Sequence, residues 1–371
     1  MIPYLVLIFL PLVFLFVLMT NQKGRRVIVI GTDREIQNHS LLIPAFFVIF
    51  FVLLILRHEN IGADVLNYKS HFLSVLSLNI KQVLNRDGDV LYNVLTWVFS
   101  RFCPNFRLFL AIIAAIILLP IAALYAEDRE HAFIKMILFI NMPVFIMIFS
   151  GLRQAIAFSV GVIAYKYVRE RRLWWFLIWA LIAMGFHHSG FIVLTFYPIY
   201  YANFKKKHLW IIVPVIILLY IFNEQIFGTA VVLLTLVFGE DYSVQITDTG
   251  AYTMLILFAL FAVASYVLPD ENLMDEETMG LRNFLLVAVV MQGFVPLHQL
   301  AMRMNYYFIL FIPVLIPKII KSCKSSMCQV GYVSNWAISL YFLVYYLDKL
   351  YTSCATGIST LGTYPYRFFW Q

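Results

Sequence analysis

Three arginines, two adjacent histidines and a few aspartates and tyrosines stand where an otherwise apolar chain changes direction. Arg57, Asp64 and Tyr68 lie in RHENIGADVLNY (57–68), and Arg153 and Gln154 in SGLRQA (150–155). His187, His188 and Ser189 lie in FHHS (186–189), and Arg303 and Tyr307 in HQLAMRMNYY (298–307). Guanidinium groups bind phosphate through paired N–H donors and keep their charge in low dielectric. Arg57, Arg153 and Arg303 therefore compose a candidate anion site. Arg153 and Arg303 also fall near the starts of apolar runs, where a helix N-terminus adds positive potential.

Each residue also has a plainer reading. An arginine at the end of a membrane span anchors or snorkels to the interface. Asp64 suits the N-cap of a helix over 65–73, and the two histidines suit a helix-to-helix hydrogen bond. DGD (87–89) resembles the metal-binding Asp-x-Asp of soluble sugar-nucleotide transferases, but a turn followed by an N-cap accounts for it better. No His, Asp or Glu grouping has metal-ligand spacing.

The elements that must position these groups are transmembrane helices. The chain has 371 residues, 62% hydrophobic and 13% charged, where a soluble domain carries about 25% charged. Runs long enough to cross a bilayer recur from end to end, which predicts an all-α polytopic integral membrane protein with no soluble domain at either terminus. Spans are expected near 2–19, 40–56, 108–125, 133–149, 152–168, 173–187, 189–203, 208–222, 251–268, 282–297, 304–321 and 330–347. That makes about twelve (11–13), with both termini outside. The segment 88–103 is the weakest assignment, either a short span or an interfacial helix.

The net charge of +7 does not point to nucleic acid, because 17 of the 27 Lys and Arg fall in six short loops on one side. Those loops are 20–39, 125–135, 166–172, 203–208, 269–282 and 318–329, the pattern of a positive inside. The first apolar stretch lacks a basic n-region, so it reads as an uncleaved span. Within the single transmembrane domain, two long outer segments remain, 57–107 and 223–250. In the first, Phe72, Leu73, Leu76, Ile80, Val83 and Leu84 keep helical spacing, which predicts a helix lying flat at the interface. In the second, the apolar 226–239 suggests an interfacial or re-entrant helix. Cys103 and Cys354 both fall outside; a disulfide is open to them, but free thiols are expected.

Between Leu173 and Phe204 there is no Asp, Glu, Lys or Arg, yet His187, His188 and Ser189 interrupt the run. Basic clusters flank it on both sides, at 169–172 and 205–207. If both are cytoplasmic, the chain goes out and returns. Each arm then has about 15 residues, or about 22 Å, short of the ~30 Å hydrocarbon core. The His-His-Ser turn would sit recessed, on the floor of a cavity open to the outside. A single helix over 173–203 is the alternative, and it would place three lysines outside.

These clusters, in this order, resemble the EpsG-like branch of the Wzy-type bacterial polysaccharide polymerases. The resemblance rests on Arg57 with IGADVLNY, on GLRQAIAFS, on FHHSGFIV against a Phe-His-x-Ser pattern, and on RMNYYF with Arg303 and Tyr307. It covers roughly residues 40–320. Gly190 and Phe191 after the serine depart from the pattern, and the doubled histidine leaves open which of His187 and His188 matches.

The resemblance implies a GT-C-like membrane glycosyltransferase in the bacterial cytoplasmic membrane, with its site facing the periplasm. It would join undecaprenyl-pyrophosphate-linked repeat units into O-antigen, capsule or exopolysaccharide, without a cofactor. A sugar hydroxyl would attack the anomeric carbon of the donor chain as lipid pyrophosphate leaves. Arg153 and Arg303 would steady the leaving charge, and Asp64 or His187 would act as base. Arg57, Tyr68, Gln154, His188, Ser189 and Tyr307 would contact substrate. The implied partners are the two lipid-linked glycans and the bilayer, with a chain-length regulator and a flippase alongside. Rival readings are a lipid-linked oligosaccharide flippase, an O-antigen ligase and a membrane O-acyltransferase. A flippase should spread its charges through the spans, and an acyltransferase needs its histidine reached from the cytoplasm.

Overall fold

The computed structural model describes residues 2–22, 41–128, 131–238, 252–323, 326, 328–357, 359 and 363–371. Residues 23–40, which hold most of the first basic loop, and 239–251, the end of the second outer segment, lie outside the described residues. The described residues form helices and two isolated bridges, with no strand among them.

α1 (Ile2–Gln22) packs on α2 (Leu42–Leu56), which is apolar throughout. The segment 57–107 that follows holds α3 (Val65–Val75), α4 (Ile80–Leu84) and α5 (Val90–Phe102). The single flat helix expected through 72–84 is in fact two. Asn79 starts the second: it accepts from the Gln82 N–H at 2.9 Å, and the Gln82 side chain accepts from the Asn79 N–H at 2.9 Å. This reciprocal cap satisfies two donors that a continuous helix would have used internally. α5 has 13 residues and so rises about 20 Å, too little to cross a ~30 Å core. It turns Tyr92, Asn93, Thr96 and Ser100 inward and leaves Val98 and Phe102 outside.

α6 (Phe106–Glu127) is the one described helix long and apolar enough to cross a membrane alone. The span expected at 133–149 is a bent pair, α7 (Ala132–Asn141) and α8 (Pro143–Ser150), kinked by 63°. Pro143 opens the second half, where its missing N–H costs nothing. α9 (Leu152–Arg169) follows after Gly151 and is buried on nearly all sides from Ala155 to Tyr165, which makes it the central helix. Phe46, Phe50, Phe139 and Phe145 interlock between α2, α7 and α8, with Phe50 stacked on Phe145 at 4.8 Å.

α10 (Leu173–Phe186) ends at His187, where the backbone goes extended and the chain doubles back. The return arm is a 3-10 helix over His188–Thr195 followed by α11 (Phe196–Tyr200). A 3-10 helix rises about 2.0 Å per residue against about 1.5 Å for an α-helix. The eight residues of this stretch therefore cover about 16 Å where an α-helix would cover about 12 Å. The arm closes on α10 at Gly190, where a Cβ would stand 2.5 Å from the Ala183 carbonyl carbon and oxygen. Only glycine admits that approach, which is a packing reason for the residue that departs from the family pattern.

Next come α12 (Leu209–Ile221) and α13 (Asn223–Phe238), with a 77° bend between them, and then α14 (Tyr252–Val267) and α15 (Glu276–Phe294). α16 (Gln299–Ile309) and α17 (Ile312–Lys321) form a third bent pair at 45°, and α18 (Cys328–Thr356) closes the bundle. With each bent pair taken as one span, up to four crossings meet the length and composition of a membrane helix. α2, α10, α14 and the first part of α1 are apolar but shorter. Cys103 and Cys354 are free thiols.

Candidate active site

Three helix starts and one hairpin turn converge on the same place. Gly151 separates α8 from α9, so Arg153 and Gln154 occupy the first turn of α9. Gln154 Nε2 donates to the Arg303 carbonyl at 2.6 Å, tying that turn to α16 and drawing the two arginines together. α16 is started by His298, whose Nδ1 accepts from the Leu300 N–H at 2.9 Å. The turn of the hairpin brings His187 and His188 to the same point. From the segment before α5, Gly88 takes a φ of +101°, in the left-handed region that suits glycine, and delivers Asp89 to the start of α5.

Two cavities meet here. One, of about 160 Å³, is lined by Asp64, Asn67, Tyr68, Met147, Gly151, Arg153, Gln154, His187 and Arg303. The other, of about 150 Å³, is lined by Gly88, Asp89, Arg153, His187, His188, Ser189, Leu300 and Arg303. Arg153, His187 and Arg303 line both and form the wall between them.

The charges around that wall are unevenly committed. Asp89 lies at the floor, its side chain 1% exposed. Its Oδ2 is 2.9 Å from Arg153 Nη1 and 3.3 Å from His187 Nδ1, and its Oδ1 is 3.4 Å from His188 Nε2. None of these approaches has the alignment of a hydrogen bond, so both carboxylate oxygens and His187 Nδ1 are buried without one. Arg153 keeps 40% of its side chain exposed and also lies over the Tyr68 ring at 5.9 Å. Burial pushes the Tyr68 hydroxyl up from its ordinary range, and the Arg153 charge pulls it back in part. The phenol therefore stays protonated at neutral pH and able to donate. Arg303 is exposed and makes no ion pair with a described residue. Asp64 and Asp89 match the two arginines in number, so what the site offers an anionic ligand is the set of N–H donors on Arg303 that no ion pair with a described residue takes up.

Of the ten residues singled out from sequence, eight line one or both cavities: Asp64, Tyr68, Arg153, Gln154, His187, His188, Ser189 and Arg303. Tyr307 stands one layer back, fully buried, its hydroxyl 3.1 Å from Ser189 Oγ. Arg57 is placed elsewhere. It is 2% exposed, its Nη1 donates to the Phe149 carbonyl at 2.6 Å, and its guanidinium lies 5.6 Å over the Phe149 ring. Its backbone bridges to Phe368, so the C-terminal tail straps the end of α2. Arg57 lines neither cavity.

Asp64 does take the N-cap position of α3 but makes no side-chain cap bond, which leaves its carboxylate to the cavity. The residue that sequence reasoning passed over is Asp89. The turn and the N-cap position expected of DGD are both present, but the Asp89 side chain makes no cap bond either. It turns inward to Arg153 and the histidines. The only sequence signal was a carboxylate in a short polar turn, and the capping explanation already accounted for it. Among the described residues no three His, Cys, Asp or Glu side chains are arranged to hold a metal ion.

The EpsG family model matches residues 40–368, nearly nine-tenths of the sequence. No curated protein and no solved structure matches the chain.

Proposed function

The chain belongs to the EpsG family, which is associated with polysaccharide polymerisation, and from that premise we propose that it is a membrane glycosyltransferase that polymerises lipid-pyrophosphate-linked repeat units. Its substrates on this reading are undecaprenyl-pyrophosphate-linked oligosaccharides, and its products O-antigen, capsule or exopolysaccharide. It works in a bacterial cytoplasmic membrane through about twelve crossings, with the two cavities facing the periplasm.

The observation that carries the reading is the shared wall of Arg153, His187 and Arg303 between two small polar cavities. A glycosyl transfer between two lipid-linked chains needs two polar sites that meet at one anomeric carbon. At that point the breaking bond leaves a pyrophosphate, whose growing negative charge Arg303 and Arg153 meet with donors already in place. The attacking hydroxyl loses its proton to His187, and Asp64 adds negative charge near the oxocarbenium-like sugar. Tyr68, Gln154, His188 and Ser189 orient sugar hydroxyls. The charges cluster at helix starts and at one turn, which suits chemistry at a single point better than passage along the spans.

The test is purified full-length protein in nanodiscs with an undecaprenyl-pyrophosphate-linked repeat unit. A ladder of longer lipid-linked chains, with release of undecaprenyl pyrophosphate, is the expected product. Unchanged substrate that moves between leaflets would instead favour a flippase.

A further inference from the structure

Asp89 has no role in the reading above, yet it is the most deeply buried charged group at the wall. A carboxylate at 1% side-chain exposure is costly unless it is paired or in use. It is paired, but not with one partner. Arg153 Nη1 and His187 Nδ1 share Oδ2, and His188 Nε2 faces Oδ1. A structural ion pair would be expected to align on its arginine; here neither carboxylate oxygen has an aligned hydrogen bond, and the charge is shared among Arg153 and the two imidazoles.

Which nitrogen of a neutral imidazole carries the proton is set by what the other one faces. With Nδ1 turned to a carboxylate, His187 carries its proton there, and Nε2 keeps the lone pair. We propose that Asp89 is a positioning residue for His187: it holds the ring as the Nδ1–H tautomer, so that Nε2 takes the proton of the attacking sugar hydroxyl. The proposal rests on the polymerase reading and deepens it.

The step balances. The acceptor O–H bond breaks, and its proton passes to His187 Nε2. The acceptor oxygen bonds to the anomeric carbon as the bond from that carbon to the pyrophosphate oxygen breaks, and the pyrophosphate keeps the electron pair beside Arg303. The imidazolium that forms has the Asp89 charge 3.3 Å from Nδ1, which stabilises it at the moment of transfer. Gly88 makes this possible: its left-handed φ turns the chain so that Asp89 enters beside Arg153, whose Nη1 would lie 3.6 Å from a Cβ at that glycine.

The experiment measures ladder formation by purified full-length protein in nanodiscs from pH 5 to 9. Groups facing His187 come from every element around it: Asp89 from α5, Asp64 and Tyr68 from α3, Arg153 from α9, Arg303 from α16, and His188 beside it in the turn. The wild type is expected to lose rate on the acid side, since the step needs a free lone pair on Nε2, and His187→Gln to lower kcat by about 10²–10⁴-fold and abolish that limb. Asp89→Asn keeps the shape but removes the charge that favours imidazolium. It is expected to lower kcat by at least about 100-fold, to change KM by less than about threefold, and to shift the acid limb to lower pH. Asp89→Glu, which restores the charge, should recover part of the rate.

If Asp89→Asn loses folded protein but each folded molecule ladders at the wild-type rate with the acid limb unmoved, Asp89 is structural and the proposal fails. If it raises KM alone, Asp89 acts through Arg153 in binding, and the proposal fails as well. A wild type that makes no ladder overturns the polymerase reading itself, which keeps the two failures apart.

Discussion

The two ends of the bundle treat charge in opposite ways. At the end away from the cavities, Arg169 grips Glu127 with both of its terminal nitrogens, at 2.6 and 2.8 Å, and reaches Glu277 at 2.8 Å. Glu277 also accepts from the Tyr165 hydroxyl at 3.0 Å and pairs with Lys318 at 2.8 Å. Lys135, fully buried, donates to the Tyr125 and Asp128 carbonyls. The Phe204 carbonyl and the Tyr266 ring hold the buried Arg282 guanidinium. Hydrogen bonds and ion pairs hold these groups, although Arg282 Nε is left without one, and they tie α6, α9, α15 and α17 together. At the cavity end, Arg303 has no ion pair with a described residue, and Asp89 is surrounded but unaligned. Buried charge costs the same desolvation at either end. One end recovers that cost through partners within the fold; at the other, Asp89 has close charges but no aligned hydrogen bond, and Arg303 stays in contact with solvent.

Breaking each end should therefore produce different losses. The largest effect is expected from Arg303→Ala, which removes the uncommitted cation: elongation in the ladder assay should fall by about 10²–10³-fold, with the melting temperature unchanged. A variant that retains wild-type rate would end the pyrophosphate role. Arg169→Ala at the opposite end should do the reverse. It leaves Glu277 and Glu127 short of their main partner and should cost about 2–3 kcal/mol of stability, read as a lower melting temperature, with rate per folded molecule preserved.

Arg57→Ala sharpens the contrast, because Arg57 lies at the cavity end but is bonded like the opposite one. It should cost about 1–3 kcal/mol, the penalty for leaving the Phe149 carbonyl unsatisfied, and leave the ladder-assay rate per folded molecule intact. The smallest effect concerns His71 on α3. Burial, reinforced by the Arg86 and Arg153 charges, pulls its imidazole down to about 4 from an ordinary 6.5. Between those values the unfolded chain binds a proton that the folded chain does not, so stability falls as pH drops through that window. His71→Phe should flatten that part of the melting-temperature curve.

Much of this architecture was legible in the residues. Apolar runs placed α1, α2, α6, α9, α10 and α14 within a few positions of their ends, because burial of a whole helix requires a whole run of apolar residues; α18 runs nine residues past its expected end, to Thr356. The hairpin at His187 followed from two flanking basic clusters, and its convergence with Arg153 and Arg303 from the order of polar breaks. Arg57 and Asp89 were the residues that sequence could not sort. Both sit in polar stretches next to helix ends, and local pattern assigns an arginine to anion binding and an aspartate to a cap. The difference between them is a matter of what lies across the bundle, 92 residues away at Phe149 for Arg57 and at Arg153, His187 and His188 for Asp89.

The sequence by itself determined the all-helical class, the approximate extent of the apolar helices and most of the polar residues that gather where the chain reverses, since these follow from local hydropathy and spacing. Only the tertiary structure decided which arginine is spent on a backbone carbonyl, which remains available, and that the carboxylate behind the histidine is Asp89. Hydrogen-bond partners and burial are set by contacts between distant segments, and no local pattern encodes them.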